Sequence, residues 1–511
     1  MNKSALNIGE LIFAGFHGTH ITPQLKSYLM DYPVGGLILF SRNIQSYAQW
    51  NALIHGIQQI RSEQNMMPLL IAVDEEGGTV SRLPNEDDTL PSARALAQTQ
   101  NLSLIEHCGY ITGTRLRRAG CSVNFAPVLD VNSTPYNPGI GIRSYGSDAN
   151  TVTRCGLASM RGLAQSGICA CAKHFPGKGA ISRDSHQELP VCSAPLSELN
   201  AVHIAPFRAA IDTGIPLIMT SHACYPALAN SHEPATLSHS ILTGILRNTL
   251  GYDGVIISDD IEMGALKTFG QVESVAYRAL SAGCDMVLIC HSMDKQIKTY
   301  NYLQEKANSD EAFYKRCTDA LFRINALKQR LNSYTASPPL IDSQCAEATA
   351  EQCVSIISNK KGILPIRNKN AAILVAGASF RSAVEVEIIG RKMYDIADFA
   401  SNLKNSFRKA DCIQWDLNPT SEHIKKAHAV NLEEYDYIFL VSNNALLYAE
   451  QKKLLDFFVE KAAEKCIFAA IKNPEDCECY SHLSTCIATY GYNKANISVL
   501  VKKLIARDVS N

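Results

Sequence analysis

Residues 254–260, GVIISDD, place a short apolar run directly before two carboxylic acids. Seven other apolar runs of four or five residues occur in the first 330 residues, separated by longer helical patterns such as Tyr47–Glu63 and Ser197–Thr213. The eight runs are Leu11–Gly15, Gly36–Phe40, Leu69–Val73, Ser122–Ala126, Cys169–Ala172, Leu217–Thr220, Val255–Ser258 and Met286–Cys290. Continuous apolar runs of this length are typical of strands buried on both faces of a parallel sheet. Eight of them favour a closed (β/α)8 barrel of the TIM type over an open doubly wound sheet.

Polar and titratable residues follow most of these runs at the carboxyl end. The residues that end a run are Asp74, Lys173, His174, Ser221, His222, Asp259, Asp260 and His291, and Asn124 and Asp130 lie near the fourth run. Because the carboxyl ends of barrel strands meet at one mouth, we expect these side chains to converge there. A strand that simply ends where polar residues begin explains some of them, but not so many titratable groups. The pattern therefore favours an active site.

The chain has 511 residues, which is too long for one ordinary core. We predict a catalytic barrel over residues 1–330, a linker over 331–345 that contains Pro338-Pro339, and a smaller α/β domain over 346–511.

The predicted C-terminal domain contains apolar strands separated by helical patterns such as Glu450–Lys461. The strands are Ala371–Ala376, Tyr437–Val441, Cys466–Ile471 and, as a fourth candidate, Ile487–Thr489. The domain has no Gly-rich phosphate loop and no cluster of convergent acids, so we predict no chemistry in it.

The composition argues against several classes of partner. The formal net charge is −1 at pH 7, so we expect no nucleic acid and no anionic membrane surface as partners. No apolar run reaches the length of a membrane span, and the N-terminus lacks the pattern of a secretory signal. The seventeen cysteines are odd in number and scattered through apparent strands and helices. That usage favours reduced thiols and a cytoplasmic protein.

Asp184 and His186 lie two positions apart in a loop that follows the fifth run, KHFPGKGAISRDSH over residues 173–186. In extended backbone, residues at this spacing share a face, so the carboxylate can fix the tautomer of the imidazole. The alternative is an Asx-type turn beside a surface histidine. The spacing alone leaves both interpretations open.

Asp259 directly follows an apolar run that the pattern predicts to be fully buried. A carboxylate in that position has few structural roles, and it is a candidate nucleophile, base or metal ligand. A helix cap after the strand is the structural alternative, and we assign that role to Asp260, which points the opposite way if the strand continues.

Asp74 begins the segment DEEGGTVSRL, in which Arg82 follows the Gly77-Gly78 pair, and Arg143 lies in the Gly-rich loop GIGIRSYG. Carboxylate and guanidinium groups together suit a neutral polyol, since the first accepts from hydroxyls and the second donates to them. For either arginine, an ion pair that stabilises the loop is the alternative.

Seven motifs occur in an order that resembles family 3 glycoside hydrolases, specifically the bacterial β-N-acetylglucosaminidases of peptidoglycan recycling. The motifs are LILFSRN (37–43), VDEEGG (73–78), NFAPVLDVN (124–132), IRSYG (142–146), KHFPGKG with DSH (173–186), MTSH (219–222) and GVIISDD (254–260). The resemblance covers residues 8–330, and residues 351–376 also resemble the start of the second α/β domain of longer members.

The resemblance implies a retaining double displacement. Asp259 matches the nucleophile, His186 the acid/base and Asp184 its dyad partner. The residues that match those gripping a terminal N-acetylglucosamine (GlcNAc) are Asp74, Arg82, Arg143, Lys173 and His174. No metal and no organic cofactor is implied, because acid/base and covalent catalysis suffice.

The sequence departs from the family pattern in three places. Lys178 stands where many relatives have histidine, Ala180-Ile181 replace a more usual Asp-Thr pair, and Ile142 precedes Arg143 where a polar residue is common. The first two bear on loop closure and aglycone preference, and none removes a proposed catalytic group.

The leading hypothesis is an exo-acting β-N-acetylglucosaminidase that removes terminal GlcNAc from muropeptides, or from chitooligosaccharides, in the cytoplasm. A carbohydrate substrate is then the expected partner. The alternatives are a phosphorylase that yields GlcNAc-1-phosphate, a family 3 enzyme similar to β-glucosidases, and a non-catalytic sugar-binding module. The presence of both Asp259 and His186 argues against the non-catalytic module.

Overall fold

A computed structural model describes residues 6–182, 189–229, 232–333, 344–380 and 394–505. Eight parallel strands form a closed barrel in chain order, and the first strand pairs with the eighth. The strands are β1 (Ile12–Gly15), β2 (Gly36–Ile38), β3 (Leu70–Val73), β4 (Val123–Asn124), β5 (Cys169–Phe175), β6 (Leu217–Thr220), β7 (Val255–Asp260) and β8 (Met286–Ile289). Each lies within or overlaps one predicted apolar run, so the predicted TIM-type barrel is confirmed.

Nearly all barrel-strand residues are buried, as continuous apolar runs require when helices cover the outer face. The α-helices that accompany the barrel are α1 (Pro23–Asp31), α2 (Tyr47–Glu63), α3 (Ala93–Gln98), α4 (Leu102–Arg118), α5 (Ala149–Gln165), α6 (Leu196–Glu198), α7 (Ala205–Asp212), α8 (Val272–Ala282), α9 (Met293–Ser309) and α10 (Glu311–Asn332). The helix predicted over Tyr47–Glu63 has the same bounds in the structure, with the Ser46 side chain as its N-cap. The helix predicted over Ser197–Thr213 is divided between α6, π-helical turns at Leu199–His203, and α7. A second π-helical segment, Ser240–Thr249, lies between β6 and β7.

The C-terminal part of the chain forms a six-stranded sheet in the order β11-β10-β12-β13-β14-β9. Its strands are β9 (Ser355–Asn359), β10 (Ala372–Ala378), β11 (Lys409–Trp415), β12 (Tyr437–Ser442), β13 (Cys466–Ala470) and β14 (Thr485–Ala488). Its helices are α11 (Cys345–Cys353), α12 (Ile396–Lys404), α13 (Ser421–His428), α14 (Ala449–Ala462), α15 (Asp476–Cys479) and α16 (Lys494–Leu504). The sheet is parallel except for β9, which pairs antiparallel with β14 at one edge. The predicted smaller α/β domain is confirmed as a fold class, whereas the domain boundaries at 330 and 346 stay predictions.

The C-terminal domain packs against the barrel beside the loop that carries Arg143. Arg94 Nη2 donates to Glu475 Oε1 over 2.9 Å across this interface. Gly141 has φ +44°, and a Cβ atom on it would lie 2.9 Å from Asn473 Oδ1. The C-terminal domain therefore touches the backbone that leads into Arg143. Among the described residues, no helix is long and apolar enough to cross a membrane.

Candidate active site

The carboxyl ends of the barrel strands bring together groups that are far apart in the sequence. Asp74 follows the end of β3, Lys173 and His174 lie in the last half of β5, and Asp259 is the penultimate residue of β7. Lys173 and His174 are 2% and 3% exposed, so both side chains are held inside the barrel mouth. The convergence that the strand-end pattern predicts is present for these four residues.

The Lys173 ammonium joins two carboxylates of the segment after β3. Its Nζ atom lies 2.7 Å from Asp74 Oδ1 and 2.7 Å from Glu76 Oε1. Arg143 holds Glu76 in a two-pronged pair, with Nε and Nη2 each donating over 2.8 Å, and its Nη1 donates to the Gly139 carbonyl over 2.7 Å. Bidentate pairing of this kind orients both planar groups. The network therefore holds a set of donors and acceptors suited to sugar hydroxyls.

The charges in this network stabilise one another against burial. Although burial by itself raises the pKa of Glu76, the Arg143 and Lys173 charges lower the pKa to about 2. Burial alone lowers the pKa of Lys173, but Asp74 and Glu76 outweigh it, so the net pKa is raised. Glu76, Arg143 and Lys173 therefore stay ionised across the neutral range.

Glu76 should contribute stability that depends on pH. Its folded pKa lies below the ordinary value of 4.5 at about 2, so the contribution is present above pH 4.5 and is lost as the pH falls toward 2. That difference corresponds to about 3 kcal/mol at neutral pH. We expect Glu76→Gln to lower the melting temperature clearly at pH 7, with a gap from wild type that narrows between pH 4.5 and 3. A difference in melting temperature that stays constant from pH 4.5 to 3 would contradict an ionised Glu76. The control is Glu63→Gln, at an exposed position at the end of α2.

His174 is paired with the buried Asp130. Its Nδ1 lies 2.7 Å from Asp130 Oδ2, and the Asp130 Oδ1 atom accepts from the backbone N–H of Lys178 over 2.7 Å. Burial, followed by the nearby charge of Lys178, holds the pKa of His174 well below its usual range. The ring is therefore neutral, donates Nδ1–H to Asp130 and keeps the Nε2 lone pair as an acceptor for a hydroxyl donor.

Asp259 presents its carboxylate at the end of β7 with 18% of the side chain exposed. Its Oδ1 accepts the backbone N–H of Asp260 over 2.8 Å, and its Oδ2 lies 3.9 Å from the Nζ atom of Lys178. A carboxylate fixed by its own backbone and partly open to the cleft is suited to attack an electrophilic carbon.

Asp260 does not cap a helix, so that sequence prediction was wrong. Its Oδ1 accepts from the backbone N–H of Glu262 over 3.1 Å, and its Oδ2 lies 3.3 Å from His291 Nε2. The next helical turn begins at Gly264 and has Met263 as its N-cap residue. Asp260 therefore stabilises the turn after β7 and ties it to His291 in the segment after β8.

His222, which lies just after β6, packs beside the end of β7. Its Nε2 lies 2.9 Å from the carbonyl oxygen of Asp260, and its Nδ1 lies 2.7 Å from Thr236 Oγ1. Because a carbonyl can only accept, Nε2 carries the proton. Burial lowers the pKa of His222, in agreement with a neutral ring that supports β7.

Arg82 is buried at 2% exposure but lies apart from the Lys173 network, with which no described hydrogen bond joins it. Its backbone N–H donates to Glu75 Oε2 over 2.6 Å, and its guanidinium carbon lies 6.0 Å from the centre of the Phe40 ring. The Phe40 ring stacks on His291 at 5.7 Å. Arg82 therefore lies on the side of the mouth that carries Phe40 and His291. Its role as a sugar ligand stays a prediction.

Asp184 and His186 lie outside the described residues, which end at 182 and resume at 189. Their proposed acid/base role is therefore an inference from the motif alone.

Sequence reasoning assigned no role to Glu76, although this residue pairs with two of the predicted sugar ligands. It stands in the VDEEGG motif, but two adjacent glutamates gave no basis for choosing between them. The structure distinguishes them. Glu75 accepts a hydrogen bond from the backbone N–H of Arg82, whereas Glu76 forms ion pairs with Arg143 and Lys173.

Comparison with known proteins decides the family. Residues 5–327 match the family described as "Glycosyl hydrolase family 3 N terminal domain". The chain belongs to glycosyl hydrolase family 3. As a family 3 member it is a glycoside hydrolase, and the predicted family resemblance is confirmed.

Three relatives illustrate what this family 3 glycoside hydrolase is similar to. A β-hexosaminidase from Nitrosomonas eutropha is 39% identical over 293 residues, which cover 56% of this chain and 82% of that protein. A family 3 β-N-acetylglucosaminidase from Paenibacillus sp. str. FPU-7 superposes with a TM-score of 0.86 at 32% identity, covering 97% of this chain and 95% of that one. A protein from Neisseria gonorrhoeae, solved in complex with N-trifluoroacetyl-D-glucosamine, superposes with a TM-score of 0.51 at 30% identity, covering 63% of this chain and 97% of that one.

Proposed function

We propose that this glycoside hydrolase is an exo-acting β-N-acetylglucosaminidase that removes terminal GlcNAc from peptidoglycan-derived muropeptides in the cytoplasm. The observation that carries the proposal is the shared mouth of β3, β5 and β7. Asp259 lies there together with the Asp74–Lys173–Glu76–Arg143 network, so a reactive carboxylate stands beside fixed partners for sugar hydroxyls. The similarity to a β-hexosaminidase and to a β-N-acetylglucosaminidase supports the same sugar.

The proposed reaction is a retaining double displacement. Asp259 attacks the anomeric carbon while His186 protonates the departing glycosidic oxygen, which leaves a glycosyl-enzyme ester on Asp259. Water then attacks the same carbon, His186 takes a proton from it, and the ester bond breaks to return the carboxylate. Asp184 orients the His186 ring through one nitrogen, which leaves the other free for both proton transfers. Lys173, Asp74, Arg143 and His174 hold the terminal sugar in the orientation of attack.

Product analysis on GlcNAc-anhydro-muramyl peptides, in parallel with chitobiose, tests the proposed activity and substrate. We expect release of GlcNAc from both, with a higher kcat/KM on the muropeptide. A higher kcat/KM on chitobiose would replace the recycling role with trimming of chitooligosaccharides. No release of GlcNAc from either substrate or from an aryl β-GlcNAc would contradict the activity itself.

The same reaction run with and without inorganic phosphate distinguishes hydrolysis from phosphorolysis. Hydrolysis predicts free GlcNAc under both conditions, because water is the second nucleophile. GlcNAc-1-phosphate as the product in phosphate buffer would instead assign the chain as a phosphorylase. Faster turnover of an aryl β-glucoside than of an aryl β-GlcNAc would assign it to a group similar to the β-glucosidases.

A further inference from the structure

Lys178 places a buried ammonium group beside Asp259. The residue is only 6% exposed, and its Nζ atom lies 3.9 Å from Asp259 Oδ2. This distance is within range of a strong charge interaction but is longer than a hydrogen bond. In the described part of the chain, no acceptor lies within hydrogen-bond distance of Nζ, so the ammonium acts on Asp259 mainly through its charge.

The backbone around Lys178 is held firmly in place. Its N–H donates to Asp130 Oδ1 over 2.7 Å, and its carbonyl accepts from Asn137 Nδ2 over 2.8 Å. A Cβ atom on the next residue, Gly179, would lie 1.7 Å from the carbonyl oxygen of Val131, so only glycine fits there. The turn therefore fixes the backbone from which the Lys178 side chain extends toward Asp259.

Among the described residues, Asp259 is the only carboxylate that lies within ion-pair distance of this ammonium. Arg143 and Lys173 are already neutralised by Glu76 and Asp74, as described above. Asp130, the other acid that acts on Lys178, is engaged by the His174 ring. The charge of Lys178 therefore acts on Asp130 and, with the larger effect, on Asp259, the carboxylate that the proposed function makes the nucleophile.

We propose that Lys178 is a positioning residue that acts through Asp259 to accelerate the second half of the reaction, the release of Asp259 from the glycosyl-enzyme. In that step the bond between Asp259 oxygen and the anomeric carbon breaks, and its electron pair returns to the carboxylate. Water oxygen bonds to the same carbon and gives a proton to the general base. A cation 3.9 Å from the carboxylate stabilises the negative charge that develops there.

The same cation opposes the first half of the reaction. Asp259 loses negative charge as it bonds to the anomeric carbon, so an adjacent ammonium stabilises the free carboxylate more than the transition state. Lys178 therefore shifts the balance between the two steps instead of accelerating both. A residue with a purely structural or purely substrate-binding role would not have opposite effects on the two steps. Opposite effects therefore distinguish this inference, which rests on the proposed function, from those two roles.

The test is steady-state and rapid-mixing kinetics of Lys178→Met on an aryl β-GlcNAc with an activated leaving group. With such a substrate the first step is fast, so kcat reports release of Asp259. We expect kcat to fall about tenfold or more, kcat/KM to stay near wild type or rise, and a burst of aryl alcohol to precede the steady state. Lys178→Arg keeps the charge and should recover most of kcat. Lys267→Met, at an exposed position after β7, is the matched control and should behave as wild type.

Three results would overturn the inference. A lower kcat/KM with an unchanged kcat would make Lys178 a substrate ligand. Equal losses in kcat and kcat/KM without a burst, in a variant with a wild-type melting temperature, would place the effect of Lys178 on the first chemical step. Unchanged kinetics would show that Lys178 affects neither step of the reaction. If Lys178→Met does not fold, Lys178→Gln, which removes the charge but keeps a polar chain, gives the same reading. Absence of turnover by the wild type would instead contradict the proposed function.

Discussion

Replacing Asp259 by alanine is expected to reduce turnover of an aryl β-GlcNAc by about 10⁴-fold or more, because the variant has no carboxylate to form the glycosyl-enzyme. The loss should fall on the first chemical step, so kcat/KM and kcat should drop together. The binding network lies on β3, β5 and the Arg143 loop, so the affinity for GlcNAc should change little. Initial-rate kinetics and GlcNAc titration of the variant measure these two effects.

Added azide provides a sharper readout of the same variant. Removal of the Asp259 side chain leaves room for a small anion on the face of the sugar that the carboxylate attacks. Azide should therefore restore part of the rate and give a glycosyl azide of inverted configuration. Asp253→Asn, an exposed position just before the same strand, is the matched control and should keep wild-type kinetics. A near-wild-type rate for Asp259→Ala would remove Asp259 from the mechanism.

Replacing His186 by alanine is expected to give a loss that depends on the leaving group. General acid catalysis contributes about 10²- to 10⁴-fold when the departing oxygen needs a proton. We therefore expect a loss of that size on chitobiose or a muropeptide, and a much smaller loss in kcat/KM on an activated aryl substrate. A series of aryl β-GlcNAc substrates with different phenol pKa values should show a steeper dependence of kcat/KM on leaving-group pKa than the wild type.

Equal losses on good and poor leaving groups would contradict the acid role of His186. The pH dependence gives a second check, since the limb of the wild-type profile set by this histidine should disappear in the variant. Asp184→Asn should keep the substrate dependence while it weakens the rate, because it alters the orientation of the ring and not its presence. His239→Ala, at an exposed position, serves as the control for the loss of an imidazole.

The barrel could be predicted from the sequence because its strands are buried on both faces. Burial on both faces leaves a continuous apolar run such as Leu217–Thr220, which needs no knowledge of its neighbours to be recognised. The edge strands of the second sheet do not have this signal. The strand Ser355–Asn359 is half-buried or exposed throughout, and Lys409–Trp415 mixes exposed and buried positions, so neither was predicted.

In the active site, too, local properties could be predicted from the sequence and contacts between distant segments could not. The motifs around Asp74, Lys173 and Asp259 indicated sugar-binding and nucleophilic groups, because residue type and position after a strand are local properties. The partners of these groups are not local. Lys173 meets Asp74 and Glu76 across about a hundred residues of chain, and only the pairing of both β3 and β5 with β4 brings their mouth ends close together.

What the sequence by itself determined is the class of the molecule: a family 3 barrel with a second α/β domain, and the identity of the residues at its strand ends. Only the tertiary structure decided how their charges are compensated. Glu76 is paired with Arg143 and Lys173, whereas the Lys178 ammonium faces Asp259 at 3.9 Å. The physical reason is that the energy of a buried charge depends on distances of a few ångströms between strands. Spacing along the chain does not contain those distances.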